Sequence, residues 1–126
     1  MKRLFLASAL LALLLAGTVV NAQVIHSLTG ALSGQLEQAQ ACARAEHWEE
    51  ALSRTLAARQ VWQDHSFYLY VVTRHGDADR ICQSFETAAA LLEQRSMGEY
   101  LRVSTELRVQ LEQLAEAEQP TPANIL

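Results

Sequence analysis

Between Gln23 and Gln119 apolar side chains return at alternating steps of three and four, and the first proline, Pro120, comes only after that pattern ends. Such spacing marks helices that pack on one another, because a half-buried strand repeats every second residue. A first segment, about 24–45, carries Ile25, Leu28, Leu32, Leu36, Ala39 and Ala43 on one face. A second, about 47–63, carries Trp48, Ala51, Thr55, Ala58 and Trp62; the tryptophans are close to four turns apart and share a face as core anchors. A third, about 66–95, places Phe67, Val71, Arg74, Ala78, Ile81, Phe85, Ala88 and Leu92 in one stripe, with Phe85 as its anchor. A fourth, about 98–118, repeats the pattern with Tyr100, Ser104, Leu107, Leu111 and Leu114, and Pro120 ends it.

The third segment is the one that could be read otherwise. "SFYLYVVT" is aromatic and β-branched and would pass alone for a buried strand. No other stretch offers a strand to pair with it, and a lone strand leaves its backbone groups unsatisfied. As a helix it has Ser66 as N-cap and Gly76 as a kink. Short connections near 46, 65 and 96 make neighbouring segments antiparallel, and the 3.5-residue repeat suits shallow crossing angles. The i,i+4 pairs Glu50–Arg54 and Arg102–Glu106 fit solvated outer faces. The fold expected is all-α: an N-terminal hydrophobic helix over 1–22, an antiparallel bundle of about four helices over 23–119, and a C-terminal tail over 120–126. A tetratricopeptide-like arrangement is the rival, since "WEEAL" and "GEYLRV" each open a helix at the start of a hairpin, but the self-similarity is faint.

The leader "MKRLFLASALLALLLAGTVVNA" has a basic start at Lys2 and Arg3, then an apolar run to about Val20, then small residues suited to cleavage after Ala22. A run of about seventeen apolar residues is also at the short limit for crossing a bilayer, so a retained anchor competes with a cleaved signal. Either way the two basic residues stay inside and the remainder lies outside the cytoplasm. The formal charge is −4; without Lys2 and Arg3, eight basic residues face 14 acidic ones. An acidic domain with scattered arginines is a poor nucleic-acid binder, so no nucleic acid is expected as partner.

Two cysteines in an exported chain invite a disulfide between Cys42 and Cys82. On a continuous third helix a rise of about 1.5 Å per residue brings both to similar heights, while two buried free thiols are the alternative. The polar residues available for chemistry are His47, His65, His75, Asp64, Asp77 and Asp79. His75 and Asp79, four apart on one helix face, have a spacing that could serve a metal or a proton relay, though the same spacing is common on plain helix faces. No His-x-x-x-His or Cys-His cluster supplies further ligands, so no cofactor or metal is expected.

The order of motifs resembles the bacterial family catalogued as domain of unknown function 4363, found mainly in Firmicutes. The resemblance is carried by the hydrophobic N-terminus, "EHWEEAL" opening a helix, Trp62 two heptads on, "HGDADRI", and the closing Asn124, Ile125 and Leu126. His47 stands where an acidic residue is expected before Trp48, and Gly76 with Asp77 replaces a more Glu-rich helix. The resemblance implies a small helical protein, exported or membrane-associated, with no established activity. It also implies that Ile125 and Leu126 form a docking tail over an exposed end of the bundle.

The function expected is that of a non-enzymatic module outside the cytoplasm that binds another membrane or extracytoplasmic protein, through the Arg and Glu face of the third and fourth segments or a groove lined by Tyr68 and Tyr70. A small-ligand or lipid binder using an inter-helix cavity is the alternative, and a metal-dependent enzyme on His75 and Asp79 the remaining one.

Overall fold

The computed structural model describes residues 1–73 and 75–117, apart from the side chain of His75. Five helices follow in order: α1 (Lys2–Arg44), α2 (Trp48–Asp64), α3 (Ser66–Val72), α4 (His75–Glu93) and α5 (Met97–Ala117), and the described residues contain no strand. The all-α bundle expected from the periodicity is therefore the fold. α1 and α2, α2 and α4, α4 and α5, and α5 and α1 pack on one another, so the four long helices form a closed ring. A tetratricopeptide solenoid would leave its first and last helices apart.

Burial follows the stripes closely in three segments. Ile25, Leu28, Leu32, Leu36, Ala39 and Ala43 of α1 are all buried, as are Ala51, Thr55, Ala58 and Trp62 of α2, and Tyr100, Ser104, Leu107, Leu111 and Leu114 of α5. Trp62 stacks obliquely on Phe85, with ring centroids 6.3 Å apart and planes tilted by 36°, a geometry that aromatic pairs favour. Trp48 is only half-buried, packed at the margin of the cluster around Tyr100 and Leu92.

The third segment departs from its reading in four ways. It is two helices, and the interruption is at Thr73 (φ −119°, ψ 177°, extended), whereas Gly76 lies inside the first turn of α4. At the break Val71, Val72 and Thr73 are consecutive β-branched residues of low helix propensity, and the Thr73 hydroxyl bonds back to the Leu69 carbonyl at 2.6 Å. Thr18, Val19 and Val20 carry the same run and the same kind of bond inside the unbroken α1, so these features permit the break and do not alone impose it. Breaking the helix also breaks the stripe. Phe67 and Val71 are 83% and 68% exposed, and Leu69 is the residue of α3 that enters the core. Finally, His65 occupies the N-cap position of α3 and Ser66 is its first helical residue. Arg74, the odd member of the stripe, lies outside the described residues, as does the tail from Glu118 to Leu126 with Ile125 and Leu126.

The ring has an internal symmetry that residue identities hide. A shift of 49 residues carries Leu32 to Ile81, Leu36 to Phe85, Ala39 to Ala88, Ala43 to Leu92, Ala51 to Tyr100, Thr55 to Ser104, Ala58 to Leu107 and Trp62 to Leu111, all of them buried. The same shift relates the two turns. Glu46 and Arg95 both have positive φ, 62° and 55°. In each, the next residue donates to the carbonyl five back (His47 to Cys42 at 2.9 Å, Ser96 to Leu91 at 3.0 Å), the pattern of a Schellman cap. The bundle is thus two similar hairpins, α1–α2 and α4–α5, joined through α3.

Candidate functional site

α1 is the element that positions everything else. At about 1.5 Å per residue its 43 residues span about 65 Å. From Lys2 to Val20 every side chain is exposed, although the stretch is almost wholly apolar; from Ala22 onward one side is buried in the bundle. The helix is long and apolar enough to cross a membrane, and no break separates that stretch from the bundle at residues 22 and 23. At the junction the Tyr68 hydroxyl of α3 donates to Asn21 Oδ1. His65 lines an open cleft together with Val20, Val24 and Leu28, and its Nδ1–H donates to the Val61 carbonyl at 2.8 Å.

Inside the bundle a polar layer separates two apolar clusters, one around Phe85, Trp62 and Leu107, the other around Tyr100, Leu92 and Ala43. Gln40 donates from Nε2 to Ser104 Oγ (2.7 Å) and Thr105 Oγ1 (3.0 Å), and accepts from the Arg108 guanidinium at Oε1 (3.1 Å). Arg108 also donates to Ser33 and lies 3.6 Å from Glu37, tying α5 to α1 along one seam. On the other side Thr55 and the Tyr100 hydroxyl share a buried bond of 2.9 Å. Burial pushes the Tyr100 phenol above its ordinary pKa, and the bond shared with Thr55 works partly against that. Buried polar groups so satisfied fix the register of the helices. Sequence reasoning missed Gln40 and Arg108; their only signal was a polar residue beside an apolar stripe, which composition cannot tell from a solvated edge.

The face of α4 and α5 is polar and open. Arg80, Ser84, Arg102, Glu106 and Gln110 line a surface groove of about 310 Å³. Arg102 pairs with Glu99 (2.9 Å) and Glu106 (3.6 Å), and Ser84 bonds Gln110 across the helix interface at 2.8 Å. Glu50 and Arg54 also meet, at 3.2 Å. A cleft of about 430 Å³ between α1 and α5 is lined by His26, Gly30, Ser33, Gly34, Glu112 and Glu116, and it too is open to solvent.

Of the residues proposed for chemistry, His47 and His65 cap opposite ends of α2, and Asp77 and Asp79 lie in α4. The Tyr70 hydroxyl donates to the Asp79 carboxylate, which raises the phenol's pKa; the side chain of His75, the other half of the proposed pair, lies outside the described residues. Among those residues no group of three His, Cys, Asp or Glu could hold a metal ion. Cys42 and Cys82 are both free and half-buried. The break at Thr73 explains why the height match failed. Cys82 is seven residues into α4, about 10 Å, rather than sixteen residues up a continuous helix.

Residues 19–125 match the model of the family described as Domain of unknown function (DUF4363). No curated protein matches the chain, and no solved structure does.

Proposed function

The chain belongs to the DUF4363 family, and on that footing we propose that it is a non-catalytic protein-interaction module, held at the outer face of a membrane by a retained N-terminal helix. The observation that carries this is the continuity of α1. A cleavage after Ala22 would cut an intact helix at a residue only 7% exposed and would remove Asn21, the partner of Tyr68. Retained, the same helix mounts the bundle on the bilayer with no flexible linker between them. Lys2 and Arg3 then stay in the cytoplasm and the bundle lies outside it.

The surface offered to a partner is the α4–α5 groove. Its arginines and glutamates are arranged on two rigid helices, and charge patterns of this kind set partner choice and encounter rate. The core is filled by side chains and the clefts described are open, which favours a docking surface over an enclosed ligand cavity. Cross-linking and affinity capture from the membrane fraction test the proposal. A stable protein partner is expected, and the double variant Arg80→Glu, Arg102→Glu should weaken its binding by about tenfold or more without loss of helicity. A soluble protein recovered alone with a small molecule bound would instead support the ligand-binding alternative.

A further inference from the structure

We infer that α3 is a membrane-interface foot: Phe67 and Val71 enter the boundary between headgroups and acyl chains of the same bilayer that α1 crosses. The inference rests on the anchored reading above and adds a second, distinct contact with lipid.

Three observations place the contact. First is exposure. Outside α1, the large apolar side chains exposed among the described residues are Phe67, Val71 and Val109, and two of these three sit on the seven-residue α3. Leu69, two residues from each, is fully buried, so the helix turns one side to the core and presents Phe67 and Val71 on the other. Second is depth. The apolar run from Leu4 to Val20 rises about 26 Å, close to the roughly 30 Å of a hydrocarbon core. With Lys2 and Arg3 at the inner surface, Asn21 falls at the outer interface. Tyr68 bonds Asn21, which holds α3, and Phe67 beside Tyr68, within a side chain's length of that level. Third is continuity. The exposed Val19, Val20 and Val24 of α1 run into the cleft beside His65, the residue that opens α3. The lipid-facing surface therefore extends from α1 toward α3 instead of stopping at the helix.

The chemistry of α3 says which kind of membrane contact this is. Ser66–Val72 carries no charge, and the residues that flank it, Asp64, Arg74, Asp77, Asp79 and Arg80, are mixed in sign and form no basic cluster. Insertion then draws on burial of apolar side chains, not on attraction to anionic headgroups, and tyrosines beside them suit an interfacial belt.

The test uses the full chain reconstituted into phosphatidylcholine vesicles that contain brominated lipid. A quenchable fluorophore is attached at one new cysteine, Leu10→Cys, Phe67→Cys, Val71→Cys or Val109→Cys, each in a Cys42→Ser, Cys82→Ser background whose helicity is checked by circular dichroism. The level of Val109 is near Ser33, through the bond from Arg108, which puts it about 18 Å beyond Asn21. Labels at 67 and 71 should lose about half their emission to lipid brominated near the headgroup end of the chain, as interfacial residues do. The label at 10 should be quenched by deeply brominated lipid, and that at 109 should be unaffected. Quenching at 10 with 67 and 71 behaving like 109 overturns the foot and leaves the anchor standing. No quenching at 10 overturns the anchor and the foot with it, and quenching at all four positions overturns the foot as a specific contact.

Discussion

Glu46 and Arg95 occupy the left-handed position of two equivalent helix caps, where a side chain with a Cβ costs roughly 1 kcal/mol relative to glycine. Glu46→Gly and Arg95→Gly should therefore each stabilise the bundle, by about 0.5 kcal/mol after the flexibility glycine adds to the unfolded chain, and thermal unfolding checks it. Tyr100 supplies the pH dependence. Its folded-state pKa is raised, so its contribution is intact below the ordinary tyrosine value near 10 and is lost as pH climbs through the raised one. Denaturant titrations should show stability falling above about pH 10. Tyr100→Phe should flatten that fall while costing about 1 kcal/mol at neutral pH for the lost bond to Thr55. At this scale the sequence was legible where identity and periodicity agree, as at Leu36 or Leu107. It was silent on Gln40 and Arg108, whose partners Ser104, Thr105 and Ser33 lie more than 60 residues away.

Among the elements, α3 decides how far periodicity can be trusted. The 4-3 count ran through Thr73 as though the helix did, and so assigned Phe67 and Val71 to a core that holds Leu69 instead. The count follows hydropathy alone and cannot register a break that the backbone makes at Thr73. Ala78 onward, beyond the break, returned to the expected face because α4 packs as an independent helix. Leu69→Ala should cost about 2–4 kcal/mol by leaving a cavity, whereas Phe67→Ala should change unfolding in detergent by under about 0.5 kcal/mol, its ring meeting the surroundings in both states. Equal costs at the two positions would return α3 to the continuous stripe. The same misreading produced the proposed bridge between Cys42 and Cys82, since its heights depended on one unbroken third helix.

The whole molecule is two hairpins of similar burial pattern, set in a ring and carried on one long helix. The 49-residue relation was hidden in the sequence because most partner positions share burial and not identity: Ala51 answers to Tyr100, and Trp62 to Leu111, while Ala39 and Ala88 alone match among the pairs above. Such pairs of small and large residues fill a ring as well as matched ones, provided total volume is kept. The apolar N-terminal stretch was recognisable from its composition, but its fusion with the first bundle helix was not, because the periodicity that marks a helix says nothing about where an apolar run stops being a separate part. Whether the fused helix is retained in the mature protein is read from the intact mass and N-terminus of the protein recovered from a carbonate-washed membrane fraction. The expected result is a chain that still carries residues 1–22 and remains with the membrane; a chain beginning at Gln23 and released into solution would contradict it.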